Sequence, residues 1–336
     1  MHIELFNARV LAPLVRFLES SGADSESILD RARIPGELVE LGGWLTKKQV
    51  YDFAFDIVER TRCPHAIYLA YANLQLEDLG PVAKAMVTCQ TVHEAFQVAA
   101  KLGRVAYEGS EYFLENDGDT TWFCYREPHV VSAGQTYIND MTLGVFYRLI
   151  RAAADDSWRP TRLRTRDEVI DRHRHLEDFA ECRSSAHPHS SAMAFPTAFL
   201  SRSPAWDGQA DQLDGVTPWR FGPHESDPFL ERLYRVIMSQ FVGRQSPTLV
   251  EVSRMIDVSP ASLKRRLCEA GTSYSQLLDR ARYDSARELL AETPLAISEI
   301  AQQLGYSGTN NFVRGFRRLS GVTPGAYRRQ EQSPAA

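Results

Sequence analysis

The sequence predicts a multi-domain chain: an α+β N-terminal domain, then an all-α C-terminal domain with two helix-turn-helix motifs joined by a long helix. Three observations lead there. One pattern occurs twice near the end, Thr248 to Gly271 and Ala296 to Gly321, with Val252, Ile256, Ser259 and Gly271 answering to Ile300, Leu304, Ser307 and Gly321. The front part mixes helical and strand-like periodicity. Between them, Ser203 to Asp227 is rich in Pro, Gly and Asp and has no apolar period, which marks a linker. A chain of 336 residues is comfortable for two domains. The boundaries read as 1–205, a linker at 206–227, a second domain at 228–330 and a disordered tail at 331–336.

The N-terminal domain opens with helices. Val50, Phe53, Ala54, Ile57 and Val58 repeat at the spacing of one buried helix face, and Thr46 is placed to cap it. A second helix starts at Thr91, where Glu94 three residues on completes a capping box. Strands at 112–116 and 121–125 flank Asp117-Gly118-Asp119, a hairpin turn. A long helix over 136–154 buries Met141, Val145 and Leu149, and short strands follow near 161–165 and 192–195.

The C-terminal domain reads as helices throughout, starting with one over 228–241. In the first repeat Thr248 and Glu251 form a capping box, Asp257 and Val258 make the turn, and Ser259 caps a helix with Pro260 at its first position. Leu263 and Leu267 face inward, which leaves Ser262, Lys264, Arg265 and Arg266 outside. A helix over 275–291, about 25 Å long, separates the repeats. In the second repeat Ile297, Ile300 and Leu304 form the first helix's core, Gly305 permits the turn and Ser307 caps the next helix. Phe312, Phe316 and Leu319 bury one side of that helix, and Thr309, Asn310, Asn311, Arg314, Arg317 and Arg318 stay outside.

Charge is unevenly spread. Residues 228–330 hold 15 Lys and Arg against 9 Asp and Glu, a surplus of six in a chain whose net charge is −5. A basic rear behind an acidic front points the rear at a polyanion. The outward residue types suit double-stranded DNA. Arginine binds guanine O6 and N7 through two hydrogen bonds, and asparagine binds adenine N6 and N7 in the same way. Ser262, Arg265, Thr309, Asn310 and Arg314 are therefore the candidate base contacts. Ser259, Lys264, Arg266, Ser307, Arg317 and Arg318 are the candidate phosphate contacts. Basic residues on a helix can also be no more than a solvated face. It is the tandem repeat with the charge asymmetry that favours DNA.

The segments VSPASLKRRLCEAGTSYSQLLDRAR and ISEIAQQLGYSGTNNFVRGFRRLSGVTPGAYRR resemble the DNA-binding domain of the AraC family of bacterial transcription regulators. Gly305-Tyr306-Ser307, Phe312, Phe316-Arg317-Arg318, Gly321 and Thr323-Pro324 through Tyr327-Arg328 carry the likeness. Gly308-Thr309-Asn310-Asn311 departs from it, since bulkier polar residues are often found there. Leu79-Gly80-Pro81, Thr91 to Ala95 and Ala194 to Leu200 resemble the ligand-sensing domain of the subgroup that includes regulators of ornithine catabolism. The resemblance implies an effector-sensing, dimerising N-terminal domain with a helical front and a small mixed sheet. It further implies a homodimeric activator that binds a DNA operator, works with RNA polymerase and answers to a small-molecule effector. Two rival readings make the N-terminal domain a ligand-independent dimerisation or protein-interaction module, or an enzyme fused to a DNA-binding tail.

Other chemistry is thin. Trp122, Tyr125, Tyr137 and Tyr147 could form one wall of an effector pocket with Asn139, Asp140 or Arg148 as polar anchors, or simply pack the core. His173, His175, His187 and His189 make two HxH pairs near Cys182, but they lie in loop-like sequence and are read as solvated rather than as metal ligands. Five separated cysteines without a CxxC fit reduced thiols. No nucleophile elbow, P-loop or dinucleotide fingerprint appears, so no catalytic residue and no cofactor are expected. No signal peptide or membrane span is legible, which places the expected protein in the cytoplasm.

Overall fold

The computed structural model describes residues 2–127, 135–154, 157–165, 175–187, 190–204, 227–243 and 246–332. The N-terminal domain begins with strand β1 (Leu5–Asn7), a 3-10 turn and helices α1 (Ala12–Ser20), α2 (Ser25–Arg31) and α3 (Glu37–Leu41). Strand β2 (Trp44–Thr46) returns antiparallel to β1, pairing Leu5 with Thr46 and Asn7 with Trp44. It runs directly into α4 (Lys47–Thr61). Thr46 caps that helix as its sequence suggests, and Gln49 closes the box from the other side. Val50, Phe53, Ala54 and Ile57 are buried, with Val58 packed partly against them.

Helices α5 (Ala66–Ala72), α6 (Pro81–Met86) and α7 (Val92–Ala106) follow. Thr91 caps α7 by accepting the Glu94 N–H at 3.2 Å. The expected box is only half made, because the Glu94 carboxylate accepts from the Gln90 N–H instead. Strands β3 (Glu111–Asp117) and β4 (Thr120–Arg126) form the hairpin, with Gly118 at φ 64° in its turn. Helix α8 (Gln135–Ala153) lies across the sheet. Strands β5 (Arg162–Thr165), β6 (Arg183–Ala186) and β7 (Ser191–Pro196) complete the order β3-β4-β7-β5-β6. Among the described strands only β5 and β6 run parallel, so the sheet is mixed.

Strand alternation sorts the sheet's two faces. Phe123, Tyr125, Leu163, Met193 and Phe195 enter the main core against α7 and α8. Phe123 is stacked between Phe96 at 4.9 Å and Phe146 at 4.2 Å. Trp122, Cys124, Ala192 and Ala194 form a separate cluster on the other face, where Arg164 lies 3.8 Å and Arg162 5.3 Å from the Trp122 ring centre. Helices α5 and α8 approach closely at Gly144: a Cβ there would stand 2.6 Å from Tyr71 Cβ and 2.9 Å from the Tyr68 carbonyl oxygen. All five cysteines are unpaired, and burial pushes the Cys124 and Cys182 thiols up to about 12.

The C-terminal domain contains helices α9 (Pro228–Val242), α10 (Leu249–Met255), α11 (Pro260–Glu269), α12 (Tyr274–Glu292), α13 (Ile297–Gln303), α14 (Thr309–Ser320) and α15 (Pro324–Gln332). Helix α15 reaches two residues into the segment expected as a tail. Residues 333–336 and the expected linker before Asp227 lie outside the described residues.

The two domains share a core. Ile3, Leu5 and Trp44 pack with Phe229, Leu233, Ile237 and Phe241 of α9 rather than with their own domain. The Trp44 N–H donates to Ser239 Oγ at 2.8 Å, and the buried Thr46 hydroxyl donates to the Met255 carbonyl at 2.7 Å. Arg33 pairs with Glu251 at 2.6 Å and Arg232 with Glu108 at 2.8 Å. A cleft of about 950 Å³ opens beside this joint, with Arg9, Trp44, Tyr234, Arg280 and Asp284 in its walls.

Candidate nucleic-acid interface

The first repeat folds as its caps dictate. Thr248 and Glu251 close the box that starts α10. Asp257 takes the turn in the left-handed region at φ 56°. The Ser259 hydroxyl then accepts the Ser262 N–H at 3.1 Å, and Pro260 occupies the first position of α11. Leu263 and Leu267 are buried with Val252 and Met255, which fixes the inner face of α11. The Glu251 carboxyl sits below the usual carboxylate range. The Thr248 N–H lowers it most, burial opposes, and Arg33 adds to the lowering.

The second repeat reaches the same form by different means. Gly305, at φ 72°, stands where Asp257 stands in the first. A Cβ on it would lie 2.2 Å from Ser246 Cβ. Ser307 does not cap α14. The extra residue Gly308 holds the N-cap position, and Ser307 Oγ instead accepts from the Asn311 side-chain amide at 2.8 Å. Phe312 and Phe316 are buried as expected, whereas Leu319, in the last turn before Gly321, is 48% exposed.

Helix α12 has 19 residues and is therefore about 28 Å long. Its Arg282 ties the units together: Nε donates to the Leu304 carbonyl at 3.0 Å and Nη2 to Ser246 Oγ at 2.9 Å. The end of α13 is thus satisfied by a side chain from the spacer helix, an anchor that no local sequence pattern signals.

Most of the candidate contacts lie on the outer faces of α11 and α14. Ser259, Lys264, Arg265, Ser307, Asn310, Arg314, Arg317 and Arg318 are exposed, and Ser262 and Thr309 are half-buried. The Arg265 side chain is 76% exposed, with Glu269 3.9 Å away. Arg314 donates to Asn311 Oδ1 at 2.5 Å, so Ser307, Asn311 and Arg314 form a line on the surface of α14. Arg318 meets Asp279 at 3.3 Å in an exposed pair worth about 0–1 kcal/mol, which a phosphate can replace. Arg266 differs from all of these. Its guanidinium donates to Asp227 at 2.6 Å and lies 4.9 Å from the Phe229 ring centre.

The five N-terminal candidates do not converge. Tyr125 donates to Glu127 at 2.9 Å, and buried Asn139 accepts from Ser191 Oγ at 3.3 Å. Ser191 is the strand partner of Tyr125, so these two share one end of the sheet. Buried Lys47 lies beside them, paired with Glu4 at 2.7 Å and with Glu127. Tyr137 packs edge-on to Phe55 at 6.3 Å. Tyr147 donates to Asp178 at 2.6 Å, and Trp122 is on the sheet's opposite face. A small apolar cavity of about 50 Å³ lies elsewhere, between Tyr107, Tyr112, Phe123, Met141 and Phe146. His187 Nδ1 accepts the Ser190 N–H at 3.1 Å, while His173 and His189 fall outside the described residues. Among the described residues no group of His, Cys, Asp and Glu could hold a metal ion, and no helix is long and apolar enough to cross a membrane.

Known proteins resemble both domains. Residues 22–204 match the family described as the arabinose-binding domain of AraC transcription regulator, N-terminal, and residues 252–330 match a helix-turn-helix domain family. An uncharacterized HTH-type transcriptional regulator of Bacillus subtilis (strain 168) is 38% identical over 89 residues, covering 26% of this chain and 11% of that protein. The ornithine utilization regulator of Pseudomonas aeruginosa is 40% identical over 99 residues, 30% of this chain and 29% of its own. The crystal structure of the transcriptional regulator CdpR from Pseudomonas aeruginosa aligns over 95% of this chain and 97% of that one, with 20% identity and a TM-score of 0.43. These alignments thus span 11% and 29% of the lengths of the two curated relatives.

Proposed function

Since this chain belongs to the AraC family of transcription regulators, we propose that it is a sequence-specific DNA-binding activator controlled by a small metabolite. One observation carries the reading: two helix-turn-helix units present Arg265 and Arg314 on exposed helix faces at either end of a stiff spacer helix. Helices α11 and α14 enter successive major grooves on one side of a duplex. Those grooves lie about 34 Å apart, and the shorter spacer favours a bent site. Arg265, Arg314, Asn310, Thr309 and Ser262 read bases, while Ser259, Lys264, Ser307, Arg317 and Arg318 hold phosphates.

The N-terminal domain binds the effector and joins two copies, and the bound activator recruits RNA polymerase. Supporting an effector site at the Tyr125–Asn139 end of the sheet is its store of buried polar groups, Lys47, Glu127, Asn139 and Asp140. The effector acts by shifting an interdomain or dimer equilibrium, since it need only bind one arrangement better than the other.

The test compares wild type with Arg265→Ala/Arg314→Ala on DNA upstream of the gene and its neighbours, at near-physiological salt. Site-selective binding that the double variant loses, by about 1–3 kcal/mol per contact, supports the reading. Weak binding that is equal in both and abolished by modest salt overturns it, because that is the behaviour of generic charge.

A further inference from the structure

We infer that Arg266 is a positioning residue that sets the pose of the first recognition helix through Asp227, and that it does not touch DNA. The inference rests on the DNA-binding reading above and assigns this arginine a different task from its neighbours.

Sequence spacing alone puts Arg266 with Lys264 and Arg265 on the polar side of α11. At about 100° per residue, however, Arg265 points directly away from the Leu263–Leu267 core, and Arg266 stands about 80° from the core direction. It lies on the flank, where α9 begins. There Asp227 is the N-cap of α9. One of its carboxylate oxygens accepts the Phe229 N–H at 2.9 Å, and the other accepts from Arg266 Nη2 at 2.6 Å. The guanidinium also lies over the ring of buried Phe229. Only 25% of the Arg266 side chain is exposed, against 76% for Arg265. Burial pushes the Asp227 carboxyl up, but Arg266 and the helix N–H groups outweigh it and hold the group below the usual carboxylate range. For Arg266 to reach a phosphate, it would have to leave a half-buried carboxylate without its cation.

The pair also lies at a junction. Helix α9 is the helix that the N-terminal domain grips, through Arg232 and Glu108 one turn further on and through Trp44 against Arg235. Asp227–Arg266 joins that helix to the recognition helix. The pair therefore links the helix held by the N-terminal domain to the helix that carries Arg265.

The experiment uses the full chain with Asp227→Asn, Arg266→Gln and the double variant. Asparagine caps helices as well as aspartate, so α9 keeps its start. Binding to the wild-type site is measured across a salt series, and amide hydrogen exchange of α11 is measured without DNA. Positioning predicts that each single variant binds about three- to tenfold more weakly and that the double variant is no worse than the weaker single. It also predicts a wild-type salt slope and faster α11 exchange in all three. Two results overturn it: a slope smaller by about 0.9 in Arg266→Gln with wild-type or tighter binding by Asp227→Asn, as for a phosphate contact, or unchanged affinity in both. If the wild type itself selects no site, the DNA reading has failed. Exchange in the free protein then decides alone: faster exchange supports positioning, and unchanged exchange overturns it.

Discussion

Gly305→Ala is expected to cost about 2–5 kcal/mol, although it adds one methyl group at an exposed turn. Two sources combine. Gly305 sits at φ 72°, where an L-residue pays about 1–2 kcal/mol. Its Cβ would lie 2.2 Å from Ser246 Cβ, which forces the backbone before α10 to move, and overpacking of that kind costs about 1–3 kcal/mol. The first repeat isolates the first source, since Asp257 holds φ 56° without glycine. Urea denaturation of Gly305→Ala, Ser246→Gly and the double variant separates the two. Ser246→Gly alone gives up the hydroxyl that accepts from Arg282 at 2.9 Å, at about 0.5–1.5 kcal/mol. In the double variant the overlap is gone, so its loss should fall short of the sum of the singles by about 1–3 kcal/mol. A Gly305→Ala protein within about 0.5 kcal/mol of wild type, or strict additivity, would refute the geometry of this turn.

Two further outcomes follow from the joint between the domains. Thr46→Val should cost about 2–4 kcal/mol, because it removes both the cap of α4 and the donor to the buried Met255 carbonyl, whereas Thr46→Ser should remain near wild type; equal losses in denaturant melts would speak against the hydroxyl's role. Glu251 and Asp227 have carboxyls held below their unfolded values, so their contribution is present above pH ~4 and is lost as pH falls through the lowered native values. Glu251→Gln should therefore flatten the acid limb of a stability-versus-pH curve, and an unchanged limb would count against a carboxyl lowered by the Thr248 N–H and by Arg33.

Local signals carried most of what the sequence could say. Thr248 with Glu251, and Ser259 with Pro260, are legible because a cap depends on residues three positions apart. The periodicity of Phe312 and Phe316 is legible because both lie mid-helix. Leu319 continues the same period but is exposed in the last turn, and periodicity does not say where cover ends. Ser307 fails as a cap because the inserted Gly308 moves the helix start by one residue. Non-local partners left no trace at all. Ile3, Leu5 and Trp44 lie in the N-terminal domain, yet they pack on α9, and no sequence period links them to it. Arg282 and Arg266 look like any arginine on a basic helix, and only the fold reveals that one satisfies the end of α13 and the other holds Asp227. The five N-terminal candidates illustrate the same limit. Aromatic density says that a core exists, but strand alternation puts Trp122 and Tyr125 on opposite faces.

The placement of Ile3 and Leu5 in the C-terminal core also bears on the order of events at the ribosome. Their partners on α9 are encoded more than two hundred residues later. At about 5–20 residues per second, strand β1 leaves the exit tunnel roughly 10–50 s before α9 exists. Through that interval Ile3, Leu5 and Trp44 lack the α9 side chains that bury them in the finished structure. These three residues therefore gain their cover only once α9 has been made. Their burial waits for the helix that also sits in the core of the C-terminal domain, so the joint between the two domains closes only after that helix is present.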